Sequence, residues 1–221
     1  MQLFAPGAAK RNFIRALTRQ ILAMTYDLLL ALALFAFVSS ITPGPNNLML
    51  MASGANFGFR RTIPHMLGVA LGFVFMVVLV GAGLVGIFEA FPVSYTVLKV
   101  ASVAYLLYLA WKIANAGPAE TGEGKGNPMT FLQAAAFQWV NPKAWAMALT
   151  AISVYAPDQT LWAILLVAAL FGAVNLPSVS SWTLLGQQMA RVLTNPRRLM
   201  LFNWAMAALL VASLYPVIWP A

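Results

Sequence analysis

Apolar residues run along this chain in six long stretches, at residues 28–50, 66–88, 94–113, 129–156, 160–184 and 199–219. Each is near the roughly 20 residues that a helix needs to cross the hydrocarbon core of a bilayer. Short polar segments punctuate them: NFGFRRTIPH at 56–65, EAFPVS at 89–94, NAGPAETGEGKGNP at 115–128, APDQ at 156–159 and QQMARVLTNPRR at 187–198. The pattern predicts an all-α integral membrane protein of six transmembrane helices, one membrane domain over 24–221 with no soluble domain beside it. The segment 115–128 is the only linker-like one, and it divides the chain into halves of three spans each.

Composition agrees with that reading and removes several function classes. Hydrophobic residues make up 62% and charged residues 8%, against about 45–50% and about 25% in ordinary soluble domains. The absence of cysteine excludes disulfides, thiolate chemistry and cysteine-ligated metals, and a single histidine excludes a multi-histidine metal site, so neither metal nor cofactor is expected. The formal charge of +8 comes from residues scattered among short loops rather than from one patch, so nucleic acid is not an expected partner, whereas the lipid bilayer is. A homo-oligomer is left open.

The basic residues do carry orientation. With the amino end of the first span outside, Arg60, Arg61, Lys112, Lys125, Arg191, Arg197 and Arg198 fall on the cytoplasmic side and only Lys99 on the other. Residues 1–23 conflict with this, because Lys10, Arg11, Arg15 and Arg19 would lie outside. A true start at Met24, with 1–23 an over-extended start, resolves the conflict. A signal-peptide n-region and an amphipathic arm bearing Phe13, Ile14, Leu17 and Ile21 are the alternatives, although the apolar run continues to Met51 with no short core.

Three spans per half is an odd number, so the halves lie in the membrane with opposite orientation, an inverted 3+3 repeat of the kind from which many transporters are built. Matched breaks support it. The first span carries Thr42-Pro43-Gly44-Pro45 followed by Asn46 and Asn47, and the fourth carries Asn141-Pro142-Lys143. Proline removes an amide donor and frees carbonyls behind it, and in lipid such breaks persist only against protein or a wet cavity. Thr42 and Asn141 are expected as N-caps, with Pro43 and Pro142 at the first helical position, so that two partly positive helix ends form an anion site. Gly44 would admit a ligand to the backbone, and the two asparagines would supply uncharged donors and acceptors. The plainer readings are that the prolines only kink a helix and that the amides only join helices.

Lys143 lies roughly 14 residues into the fourth span, near mid-bilayer at about 1.5 Å per residue. An ionisable group there marks a functional site unless it snorkels or the span is two short segments meeting at a surface turn. Asp27, Glu89, Glu120, Glu123 and Asp158 all fall near span ends or in loops, which leaves the substrate as the expected partner of its ammonium. Asn175 and Pro177 are expected to break the fifth span and line the same cavity. His65 is expected to be solvated at a helix start; with Ser53 it would make a poor hydrolase pair. Gly68 and Gly72 read as a packing seam, with Gly81, Gly83 and Gly86 continuing a small-residue face, and Trp111, Trp162 and Trp219 as interfacial anchors.

The blocks TPGPNNLMLMASGANFGFR, GVALGF, AYLLYLAWKIA and FQWVNPKAW together resemble the lysine exporter and homoserine/threonine resistance (LysE/RhtB) family of bacterial amino-acid exporters, from about Met24 to the carboxyl end. The resemblance is nearest the branch exporting cysteine and O-acetylserine. It implies six spans in the bacterial inner membrane, outward secondary transport of an amino acid or close derivative, and proton antiport. It implies no enzymatic activity. Some members place an acid in the fifth span where this chain has Asn175, so the proton-carrying residue is in question; Lys143 is the substitute on offer. A passive channel or membrane assembly subunit remains the alternative, and an intramembrane hydrolase a weaker one.

Overall fold

Prolines and glycines set the helix boundaries. The computed structural model describes residues 26–84, 86, 90–91, 93–116, 127–156 and 160–215. Among these, eight helices follow one another: α1 (Tyr26–Ile41), α2 (Pro45–Phe57), α3 (Phe59–Leu79, prolonged by a π turn at Val80–Leu84), α4 (Val93–Ala114), α5 (Phe131–Phe137), α6 (Pro142–Tyr155), α7 (Leu161–Ala190) and α8 (Pro196–Ala212). Pro45, Pro142 and Pro196 open α2, α6 and α8, where the missing amide costs nothing. Between α5 and α6 lies one 3-10 turn, Gln138–Val140.

Three helical segments are long and apolar enough to cross a membrane: Phe59–Leu84, Val93–Ala114 and Leu161–Ala190. A fourth span arises if α1 and α2, bent by 54° at their break, are taken together. Large apolar side chains face outward all round, among them Leu30, Phe75, Trp111, Trp162, Leu201 and Trp204. Such a surface suits lipid and not water. The chain is an all-α, multi-pass membrane protein.

Two boundaries differ from the sequence reading. The polar segment 56–65 is not a loop: α2 ends at Phe57, Gly58 turns the corner with φ 77°, and α3 begins at Phe59. Only a residue at ease in the left-handed region makes so short a corner, and glycine is that residue. Nor does Pro177 break the fifth span, since α7 runs through it without interruption. The hydroxyls of Ser178, Ser180 and Thr183 donate to the carbonyls of Val174, Leu176 and Val179, binding the helix on both sides of the missing amide.

Packing is by close backbone approach. The most extensive contact is α2 on α7, where a Cβ placed on Gly54 would strike the Thr183 carbonyl and one on Gly186 would strike the Met51 carbonyl. Gly68 and Gly72 form the seam expected of them: α5 lies against this face of α3, with Ala135 Cα 2.6 Å from where a Cβ on Gly72 would stand. Gly86 meets nothing within 4 Å. Lipid tails are as apolar as leucine, so helices in a bilayer associate through packing of this kind rather than through hydrophobic exclusion.

One end of the bundle is tied by polar bonds. The Phe59 amide donates to Gln187 Oε1 (2.6 Å), Arg61 Nη2 to Asn127 Oδ1 (3.1 Å), Asn203 Nδ2 to the Ala116 carbonyl (2.8 Å), and Asn56 and Asn203 exchange bonds. Arg60, Arg61, Lys112, Arg197 and Arg198 all belong to helix termini gathered there, while Lys99 sits in the opposite half of α4. The extension 1–23, Lys125, Glu89, Glu120, Glu123, Asp158 and Trp219 lie outside the described residues.

Gly54→Val should therefore lower the thermal unfolding midpoint of the detergent-purified protein, by an overpacking cost of about 1–3 kcal/mol or more. Gly86→Val should leave that midpoint unchanged. Fluorescence-detected size exclusion after heating reads both, and equal midpoints would refute the α2–α7 contact.

Candidate site at the two helix breaks

The break between α1 and α2 exposes a run of carbonyls, and each finds a donor. The Thr42 amide still donates to Val38 O (3.1 Å), and the Thr42 hydroxyl to Ser39 O (3.1 Å). Asn47 Nδ2 donates to Ser40 O (2.7 Å) and Thr42 O (2.8 Å), and the indole of Trp182 donates to Ile41 O (3.0 Å). Lys143 Nζ completes the set, with bonds to Thr42 O (2.8 Å), Thr42 Oγ1 (2.9 Å) and Pro43 O (3.4 Å). Backbone groups left without partners away from water cost about as much as a lost hydrogen bond, and four separate side chains converge on this short segment.

This corrects the expected capping. Thr42 belongs to the end of α1, and the N-cap of α2 is Gly44, with extended backbone (φ −179°, ψ 177°) and Pro45 behind it. No side chain caps α2, so its first amides face the break uncapped. The second break is as expected: Asn141 caps α6, its Oδ1 accepting from the Lys143 amide (3.1 Å), and Pro142 stands at the first helical position.

The two breaks meet. A Cβ on Gly44 would lie 2.8 Å from Lys143 Cδ and 3.1 Å from Nζ, so glycine here lets the lysine stem lie along the backbone of the other half. Asn46 and Gln138 exchange amide bonds (2.9 and 3.2 Å), a second link between the breaks. The Lys143 ammonium thus has neutral partners already, where only a substrate was expected. Asp27, at the start of α1, is the one acidic side chain among the described residues.

Between the breaks lies a cavity of about 20 Å³, room for roughly one water. Of the residues singled out from sequence, Gly44, Asn46, Asn47, Asn141, Lys143 and Asn175 line it, whereas Thr42 and Pro43 act through their carbonyls and Pro45 and Pro142 only shape the helix starts. Ser39, Ser40, Phe73, Ala144, Met147 and Val179 complete the wall. Ser39 and Ser40 precede the TPGP motif across Ile41 and Gln138 precedes NPK by two residues, so their polarity inside an apolar run was the available signal. Asn175 Nδ2 donates to Ser40 Oγ (3.2 Å), and its Oδ1 is buried without a partner. Lys143 and Asn175 thus line the same cavity.

Nothing comparable supports the hydrolase pair. Ser53 Oγ lies 2.9 Å from Thr62 Oγ1, and His65 is buried at 2% exposure with no partner on either ring nitrogen. The expectation of a solvated His65 fails because α3 begins at Phe59 and carries the ring into the bundle.

Asn47→Leu should strip Ser40 O of its donor and lower stability by about 1–3 kcal/mol, read as a drop in thermal midpoint. Asn47→Asp offers acceptors in place of the needed amide and should fare no better.

Residues 37–213, which include both breaks, match the family model described as LysE type translocator. A cysteine/O-acetylserine efflux protein of Klebsiella pneumoniae subsp. pneumoniae is 32% identical over 192 residues, 85% of this chain and 95% of the relative. Cysteine/O-acetylserine efflux proteins of Escherichia coli and Shigella sonnei are each 33% identical over 137 residues, 62% of this chain and 70% of theirs. No solved structure matches the chain. A family match over most of the chain, with both breaks inside it, places this protein among transporters and not enzymes: it belongs to the LysE type translocator family.

Proposed function

We propose that the protein exports an amino acid or close derivative, of the cysteine/O-acetylserine kind, across the bacterial inner membrane, and that it does so by proton antiport. The substrate class is the one its relatives are named for. The observation that carries the reading is the lodging of Lys143 in the carbonyls of the opposite break, against Gly44.

A zwitterion brings one anion and one cation, and the cavity offers a complement to each. Its carboxylate would take the Lys143 ammonium from the Thr42 and Pro43 carbonyls, since a charge-assisted bond to a carboxylate is about twice as strong as a neutral one. The uncapped start of α2 and the Asn141-capped start of α6 lie beside it, adding their partly positive ends. Its ammonium would donate to Asn175 Oδ1. A cavity of about 20 Å³ is too small for any amino acid, so these contacts belong to an open form, and breaking the Lys143 bonds is the step that separates the halves. Lys143 is the titratable side chain of the cavity wall and the group on which the coupled proton would ride.

Six spans in an inverted repeat support alternating access to such a site. Counting α1 with α2 and α5 with α6 as broken spans gives three elements per half. The principal packings then join first span to fifth, second to fourth, second to fifth and third to sixth. Exchanging the halves turns this set into itself, as an inverted repeat requires. The basic helix ends tied at one face support a cytoplasmic position for that face.

Lys143→Met should insert and remain monodisperse, with some loss of stability because Pro43 O loses its donor, yet counterflow in proteoliposomes should fall to background. Lys143→Arg should still exchange substrate while no longer responding to an imposed pH gradient, since its charge is fixed. Normal export against a gradient by Lys143→Met would refute both roles. Gly44→Val should block export as well, by driving the lysine from its seat.

A further inference from the structure

Aromatic rings lead away from the break cavity on one side, and each contact among them crosses from one half of the chain to the other. Phe73 of α3 lines the cavity and meets Phe171 of α7 edge to face, with centroids 5.3 Å apart. Phe171 meets Phe35 of α1 in the same manner at 5.8 Å, and Phe35 stacks on Tyr155 of α6 at 5.9 Å. The Tyr155 hydroxyl then donates to the Ala31 carbonyl of α1 (3.4 Å).

The direction of this series follows from the helices. α2 carries the chain from the break to the tied, basic end, so α1, on the other side of the break, comes from the opposite end. α6 starts at its own break and ends with Tyr155 against α1, so it runs to that far end as well. Phe171 is fully buried in the core there, with Leu32, Ala36, Ala148, Ile152 and Val167. A zwitterion passing that way would meet apolar surroundings that cannot replace its hydration, and a hydrophobic constriction holds back water by dewetting. A core packed within one half would move with that half as a body. Rings that alternate between the halves must separate when the halves do.

We propose that Phe73, Phe171, Phe35 and Tyr155 form the barrier between the break cavity and the far face, a zipper across the two halves that parts when the cavity opens to that face. Its role as the exit gate for substrate rests on the export reading; the barrier itself does not.

The test is sided thiol labelling. The chain has no cysteine, so Ser39→Cys places a single thiol in the cavity wall. Val93→Cys, 73% exposed at the start of α4, marks the far face. Each is treated with a membrane-impermeant methanethiosulfonate in right-side-out and in inverted vesicles, and the vesicles that label Val93→Cys are those presenting the far face. From that face Ser39→Cys should react slowly. Adding Phe35→Ala removes two ring contacts from a half-buried position and should speed the reaction by about tenfold or more. Phe171→Ala should do the same, and where that fully buried position does not tolerate truncation, Phe35→Ala still decides. Leu210→Ala, fully buried in the core that α4 and α8 share, should lower the thermal midpoint without speeding the reaction. Rapid labelling of Ser39→Cys from the far face without either ring variant would overturn the barrier. So would a monodisperse Phe35→Ala that labels no faster, or a Leu210→Ala that labels as fast as Phe35→Ala, since general loosening would then explain the gain. Normal export by Lys143→Met would sink the Lys143 reading, while these labelling rates would still decide the barrier.

Discussion

The carbonyls freed at the break between α1 and α2 dictate much of the rest. Water is not on hand at membrane depth to receive them, so the protein must bring donors. It brings Asn47 from the next turn, Trp182 from α7 and Lys143 from α6. Two of these three come from the other half of the chain. A local defect in one helix thereby becomes a contact between halves, and the long helix α7 is held in register against α2 at the break as well as by its glycine seam.

The same constraint explains why the site is polar without being charged on both sides. Asn46 and Gln138 bond each other, Asn47 bonds the backbone, and Asn141 caps its own helix. Each amide has a structural task, so the plainer reading of the asparagines as joints between helices holds alongside the site reading. What is left over is small and specific: Asn175 Oδ1, without a partner, and a lysine whose partners are all neutral oxygens.

Much of this was legible in the sequence because prolines, glycines and charges are conspicuous in apolar runs. TPGP and NPK announced the breaks, Lys143 announced itself as an ion in the wrong solvent, and Gly68 with Gly72 announced a seam. Less legible was anything that depends on which group reaches which. Sequence reads Thr42 as the N-cap, and only the continuation of the α1 bonding through the Thr42 amide moves that place to Gly44. His65 looked solvated because it reads as standing at a helix start on the cytoplasmic side; a helix started one residue past Gly58 turns it inward. Pro177 looked like a break because proline is read locally, whereas the hydroxyls that bind the helix around it lie one to six residues further on.

That no acid among the described residues stands opposite Lys143 then acquires a use on the export reading. An ammonium paired with a carboxylate of the protein would be bound by an interaction as strong as any the substrate could offer, and the incoming ligand would gain nothing by displacing it. Carbonyls and a hydroxyl are enough to keep the charge solvated while the halves are closed, yet they lose to a carboxylate. Closure without substrate and opening with it are then two outcomes of one competition for the same three protons of Lys143. A protein acid in that seat would settle the competition beforehand, and the two breaks would have no reason to part.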